Sequence, residues 1–192
     1  MSENTSATGG APGALREGPP TFDLPPDCRQ QTLGVAFFDL SRISEWASAE
    51  QDSRVAAFFQ GFYAQAAEHI EGAGGRIVKF MGDAGLAVFE PDAAEDVIFS
   101  LCRFASDAHG LGRRVGLQTH LSVAVHVGPV LAGSFGAPGA QRFDVIGKTV
   151  NVAARLGRGG VTLSAQAFRC LSAKARQRFE KIQRPITYRF RG

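Results

Sequence analysis

The chain has 192 residues, a formal net charge of +3, 23 glycines, 15 phenylalanines and three cysteines. That length can bury a core as one domain. The cations are scattered, with none of the dense basic, aromatic-interleaved runs of a nucleic-acid binder, and no apolar run is long enough to cross a bilayer. Cys28, Cys102 and Cys170 lie far apart without metal-ligand spacing, the pattern of reduced thiols in a cytoplasmic protein.

Residues 1–30 are rich in Gly, Pro, Ser and Thr and carry no apolar period. They predict a disordered leader ahead of a domain spanning 31–192. No basic-flanked apolar stretch marks a secretory signal. Leu33–Asp39 reads as a buried strand, aromatic and β-branched. Asp52 or Ser53 is placed to cap a helix with Val55, Phe58, Phe59, Phe62, Ala66 and Ile70 at helical spacing, stopped by Gly72, Gly74 and Gly75. Arg76–Phe89 is a hairpin with Gly82 in its turn. Asp92-Ala93-Ala94-Glu95 reads as a capping box opening a second helix that buries Val97, Ile98, Leu101, Phe104 and Ala105. Leu117–Val127 and Arg142–Ile146 predict two strands joined through Gly133, Gly136, Pro138 and Gly139. A short helix at Thr149–Leu156, a strand at Val161–Leu163, a helix capped by Ser164 and a closing strand at Ile186–Phe190 follow. The order β-α-β-β-α-β predicts an α+β fold on the ferredoxin-like plan, with extra C-terminal strands and helices. Many unrelated activities use that plan, so function has to come from the residues.

Asp39 ends the run Val35-Ala36-Phe37-Phe38, and Asp83 sits in the turn of Arg76-Ile77-Val78-Lys79-Phe80-Met81-Gly82-Asp83-Ala84-Gly85. The intervening helix lets the fold bring both to one edge of a sheet. Paired carboxylates there suit a hard cation shared with substrate phosphates, although an Asp closing a strand or a Gly-Asp turn is each common by itself. Asn151 and Arg155 are four apart, so they project from one helix face.

These stretches, with Arg142-Phe143-Asp144-Val145-Ile146-Gly147-Lys148-Thr149-Val150-Asn151-Val152-Ala153-Ala154-Arg155, resemble the class III nucleotidyl cyclase catalytic domain, most closely an adenylate cyclase, from about Leu33 onward. The resemblance implies conversion of ATP to 3′,5′-cyclic AMP and pyrophosphate by in-line attack of the ribose 3′-hydroxyl on the α-phosphate. It implies two Mg²⁺ or Mn²⁺ per site, held by Asp39, Asp83 and the Leu40 backbone. Backbone amides of Leu40, Ser41, Arg42, Ile43 and Ser44 would cradle the terminal phosphates. Lys79 and Asp144 would select adenine, because an Asp that accepts from the exocyclic amine loses its partner against the guanine carbonyl. Asn151 would orient the ribose, Arg155 would stabilise charge on the α-phosphate, and Lys181 would contact phosphate. In the family the metal aspartates come from one subunit and the base, ribose and transition-state groups from the other, so a complete set implies a homodimer. The stretch His126-Val127-Gly128-Pro129 resembles a family turn signature.

The chain departs from the family pattern twice. Arg42 stands where glycine is usual, so either the loop bends differently or Arg42 itself contacts phosphate. After Leu156 only Gly157-Arg158-Gly159-Gly160 precedes the next strand, shorter than usual and near the expected dimer interface. Other readings are a cyclase of different nucleotide choice and a catalytically weak or inactive cyclase-like partner domain. An RNA-binding module lacks its aromatic platform here, and the turn Phe80-Met81-Gly82-Asp83-Ala84 differs from that of diguanylate cyclases. No sensor domain is legible, which leaves control to expression, to metal or bicarbonate, to a separate unidentified partner or to a dimer equilibrium; no nucleic-acid or membrane partner is expected.

Overall fold

Alternation along the first strand divides apolar side chains between two faces of one sheet, and the two faces are covered differently. The computed structural model describes residues 23–157, 159–183 and 186–192, so the predicted leader lies outside the described residues up to residue 22. The elements are β1 (Arg29–Leu40), α1 (Ile43–Ala49), α2 (Asp52–Glu71), β2 (Gly75–Met81), β3 (Ala84–Phe89), α3 (Ala94–Arg114), β4 (Leu121–Phe135) and β5 (Arg142–Ile146). They continue with α4 (Lys148–Arg155), β6 (Val161–Ser164), α5 (Ala165–Arg169), α6 (Ala173–Arg176), β7 (Phe179–Ile182) and β8 (Thr187–Phe190). The sheet runs β2-β3-β1-β4-β6-β8-β7 with β5 paired to the far half of β4. Its first four strands are antiparallel neighbours in the expected ferredoxin-like order.

On the first face, Ala36, Phe38, Leu40, Ala87 and Phe89 pack against Phe58, Phe62 and Ile70 of α2 and Ile98, Leu101 and Phe104 of α3. On the second face, Leu33, Val35, Leu86 and Val88 are covered by Val145 of β5 and Ala153 of α4. Two cross-strand pairs tie β1 to β3: Gly34 lies opposite Phe89, and Phe38 opposite Gly85. Each ring lies over its glycine so closely that an added Cβ would stand 2.1 Å from Phe89 Cε2 or from Phe38 Cζ.

Several boundaries differ from expectation, each for a local reason. β1 starts at Arg29, so Arg29 and Gln30 belong to the sheet and not to the leader; β4 runs on beside them, with Arg29 opposite Ala132. β4 passes straight through His126-Val127-Gly128-Pro129, which the sequence reads as a turn. Pro129 is tolerated because β6 pairs only as far as Val125 and β5 begins at Leu131. The missing N–H therefore falls in a gap between partners. Thr149 Oγ1 donates to Pro129 O at 2.6 Å on that side.

The caps differ too. Gln51, not Asp52 or Ser53, precedes α2, and Asp52 becomes its first residue. The capping box does not form, because Pro91–Ala93 makes a 3₁₀ turn and α3 begins only at Ala94. Glu95 turns instead to Ser172, accepting from its N–H at 2.7 Å and its Oγ at 3.1 Å, and so anchors α6. Ser164 caps α5 as expected, accepting from Ala167 N at 3.1 Å. α1, α6 and β7 were not expected from the sequence. Among the described residues no helix is long and apolar enough to cross a membrane. The three cysteines are unpaired, and burial pushes the Cys102 thiol up to about 12.

His126 is buried in β4 with Nδ1 2.9 Å from Ser164 Oγ. The same hydroxyl accepts from Ala167 N, so the imidazole is held against the cap of α5. Burial lowers the His126 pKa from its ordinary 6.5. The unfolded chain takes up a proton that the folded chain refuses, so stability is present above that value and lost as pH falls below it. Thermal melts between pH 7.5 and 5.5 are expected to show a falling Tm, with a smaller fall in His126→Asn.

Candidate functional site

Strand alternation puts Asp39 on the second face of the sheet, half-buried at the end of β1. Its register partner is Ala84, so Asp83 is one residue away, in the Gly82-Asp83 turn between β2 and β3. Gly82 has φ 69°, a left-handed value that glycine adopts without a Cβ penalty. Leu40 N donates to Asp83 O at 3.0 Å, fastening the turn to the strand that carries Asp39. The two carboxylates that the sequence pairs are thus on neighbouring backbone. A cavity of about 270 Å³ opens beside Asp39, lined also by Phe37, Met81, Ser122 and Ala154.

The donor set fits a magnesium-type ion. Such ions are held by one or two protein carboxylates, with waters and substrate phosphates completing an octahedron. Among the described residues no group of three or more His, Cys, Asp or Glu side chains comes together as a metal site. Waters, and substrate oxygens when substrate is bound, would complete the coordination, with the backbone of Leu40, opposite Leu121 at the strand end, as the further ligand that the resemblance implies.

The five-amide cradle needs correction. The Leu40 amide is spent on Asp83 O, and the Ser41 amide donates to His120 O at 3.0 Å. Ser41 is held twice more, its carbonyl accepting from Thr119 Oγ1 at 2.6 Å and its Oγ from His120 N at 3.0 Å. Ile43 and Ser44 begin α1, where a helix supplies its amides with no internal partner. The exposed Arg42 before them has φ 64° and ψ 18°, the one non-glycine residue with positive φ among those described. The loop thus keeps the left-handed bend that glycine would provide, which costs a residue with a Cβ about 1–2 kcal/mol. Arg42→Gly is expected to raise Tm by a few degrees in thermal melts; an unchanged or lower Tm would mean that the Arg42 side chain offsets the strain.

Lys79 Nζ donates to Asp144 Oδ2 at 2.5 Å across 65 residues, joining β2 to β5. Beside it the Arg76 guanidinium lies 3.6 Å from the centroid of the Phe143 ring. Asp144 Oδ1 accepts from Val145 N at 2.8 Å. The pair is 44% and 28% exposed, so it adds at most about 1 kcal/mol to stability. The two residues expected to read the base are therefore already together.

Asn151 and Arg155 project from the exposed side of α4 into a second cavity of about 440 Å³, which they share with Lys148 and Val152. Ala154, on another side of the same helix, lines the Asp39 cavity. One chain thus puts Asp39 and Asp83 on neighbouring backbone and separately joins Lys79 to Asp144, while Asn151 and Arg155 open into a different cavity from Asp39. Lys181 lies in β7, the strand at the far edge, with β8, β6 and β4 between it and β1. At ordinary strand spacing that is roughly 19 Å from the strand of Asp39. The short link after Leu156 is fastened to β4: Gly159 N donates to Ser122 Oγ at 3.2 Å, and Val123 N to Gly160 O at 3.0 Å. Arg158 lies outside the described residues.

Tyr63 is a site neighbour that sequence reasoning missed. Its Oη donates to Gly82 O at 2.9 Å. In the sequence it is one aromatic residue among the apolar positions of a helix, and only the turn's position in space distinguishes it. Thr119 and His120 have no local signal either, because their contact with Ser41 spans 78 and 79 residues.

Comparison with known proteins agrees with this geometry. The family model described as Adenylate and Guanylate cyclase catalytic domain matches residues 27–189. Two Mycobacterium tuberculosis proteins, Rv1319c and Rv1318c, are 29% identical over 126 residues and 28% identical over 162 residues. These matches cover 64% and 78% of this chain but only 23% and 29% of those proteins, so the chain spans about a quarter of their length. Among solved structures, the adenylyl cyclase CyaB from P. aeruginosa aligns with TM-score 0.75 at 18% identity, over 86% of this chain and 96% of that one. A bacterial light-regulated adenylyl cyclase aligns with TM-score 0.76 at 19% identity, over 86% of this chain and 53% of that one. The guanylyl cyclase Cya2 gives TM-score 0.68 at 17% identity, over 86% and 94%. These similarities establish the fold and do not separate the two bases.

Proposed function

The chain belongs to the adenylate and guanylate cyclase catalytic domain family, and on that premise we propose that it is an adenylate cyclase working as a homodimer, forming 3′,5′-cyclic AMP and pyrophosphate from ATP. The observation that carries the choice of base is the Lys79–Asp144 pair. Asp144 offers an acceptor to the exocyclic amine of adenine, with Lys79 beside it as donor. Guanine would present a carbonyl to that acceptor and leave it unpaired, the kind of mismatch that discriminates strongly.

Bound Mg²⁺ or Mn²⁺ would neutralise triphosphate charge and make the 3′-hydroxyl more acidic. Asp39 and Asp83 supply the carboxylates for that purpose. The Ile43 and Ser44 amides, with Arg42 next to them, face the role of binding the terminal phosphates. Asn151 orients the ribose, and Arg155 brings a permanent, planar positive charge to the α-phosphate as it becomes pentavalent. Lys181 is assigned a further phosphate contact. The separation of the Asn151–Arg155 cavity from Asp39 supports sites completed by a second protomer. Ile146 and Val152, 49% and 42% exposed around α4, give that partner apolar surface to cover. Unpaired cysteines fit a cytoplasmic location.

Product analysis with ATP and GTP, each with Mn²⁺ or Mg²⁺, tests the reading. Cyclic AMP from ATP alone, absent in Asp39→Ala and rising faster than linearly with protein concentration, is the expected result. Cyclic GMP as the main product would overturn the choice of base. No cyclic nucleotide from a folded dimer would leave a binding or regulatory domain.

A further inference from the structure

We propose that Tyr63 is a positioning residue for Asp83: its phenolic hydroxyl holds the Gly82-Asp83 turn and thereby sets the affinity of the Asp39–Asp83 pair for a divalent cation, an inference that rests on reading that pair as a metal site. The turn needs such a post. Gly82 is exposed, and a Cβ built on it would meet nothing within 4 Å, so no side-chain packing confines the tip. Backbone pairing ends at Met81 and Ala84, and the Leu40 N to Asp83 O bond secures only the β3 side of the turn. Tyr63 Oη reaches the other side, donating to Gly82 O at 2.9 Å from 19 residues upstream.

The hydroxyl is itself well fixed. The Tyr63 ring stacks on Phe80 with centroids 4.1 Å apart and planes 24° apart. Phe80 in turn meets the edge of Phe38, centroids 6.2 Å apart, and Phe38 is fully buried and adjoins Asp39 in sequence. One aromatic stack therefore lies under both carboxylate-bearing segments, and the Tyr63 hydroxyl is its one polar tip. Losing it frees the turn to sample positions in which the Asp83 backbone moves away from the strand end that carries Asp39, and each such position lowers metal affinity without disturbing the core.

Tyr63→Phe keeps the ring and removes only the hydroxyl. Binding of Mn²⁺ alone to wild type, Tyr63→Phe and Asp83→Ala, followed by loss of the free-ion electron paramagnetic resonance signal, tests the idea alongside thermal melts. The expected result is a dissociation constant raised roughly three- to tenfold in Tyr63→Phe, the equivalent of one hydrogen bond, with binding abolished in Asp83→Ala. Wild-type affinity in Tyr63→Phe, whether or not its Tm falls, overturns the positioning role while leaving the metal site standing. Equal binding in wild type and Asp83→Ala overturns the metal reading and this inference with it.

Discussion

Mixing equal amounts of Asp39→Ala and Arg155→Ala protomers is expected to recover about a quarter of wild-type cyclase activity, although each variant alone should fall at least about a hundredfold. The two groups open into different cavities of one chain, so in the proposed homodimer each site would take Asp39 from one protomer and Arg155 from the other. Random pairing makes half of the dimers mixed, and each mixed dimer holds one intact site and one doubly defective one. Both substitutions leave the core in place: Arg155 is exposed, and Asp39 lies at the end of its strand. Product formation after mixing, beside a check that subunits exchange, decides the matter. Exchange without recovery would mean that both groups serve the same protomer.

Gly85→Ala should cost about 3 kcal/mol, near the top of the usual range for overpacking, and lower Tm by roughly 6–12 °C. The new methyl group would stand 2.1 Å from Cζ of Phe38 and 2.4 Å from its Cε2. That ring has no room to yield, because it is wholly buried and meets Phe62 and Phe104 with centroids 6.1 and 5.8 Å away. Gly82→Ala, three residues away, meets nothing and should cost only the left-handed backbone penalty of about 1–2 kcal/mol. Thermal melts of the two variants give the contrast, and Phe38→Leu added to Gly85→Ala should regain part of the loss. A Gly85→Ala melt within about 2 °C of wild type would contradict the packing described.

Features with a short-range cause were legible in the sequence. Alternating and helical apolar patterns located β1, α2, β3 and α3, and hence the ferredoxin-like order; the Gly-Asp turn placed Asp83 beside the end of β1. What escaped depends on partners distant in the chain. β4 looked finished at Val127 because Gly128-Pro129 reads as a break, and only the gap between β6 and β5 makes proline harmless there. The expected capping box yielded to the 3₁₀ turn at Pro91, and Glu95 found Ser172 instead, 77 residues on. α6 and β7 have four residues each, too few for any period to declare itself. At the site, the sequence could pose the question of Arg42 but not answer it, since the residue before it, Ser41, is held by Thr119 and His120, 78 and 79 residues on. Asp144 and Lys79 were separate expectations, and their contact across 65 residues had no sequence signal.

The reciprocal pairs Gly34–Phe89 and Phe38–Gly85 also act as a key against misalignment. A slip of one residue between β1 and β3 would turn the side chains of one strand to the other face, taking its phenylalanine off the face that α2 and α3 cover. A slip of two would keep each side chain on its own face, and hydrophobicity would hardly object. One such slip sets Phe38 over Ala87 and Phe89 over Ala36, where methyl groups already occupy the space the rings need. The opposite slip carries Phe38 to Asp83 at the hairpin tip and leaves Gly85 facing Ala36 across a void. With two notches and two teeth four residues apart on each strand, only one alignment engages both. The backbone register that sets Asp39 opposite Ala84 is thereby quantised, right or wrong by whole residue pairs, and only the finer placement of Asp83 is left to the turn itself.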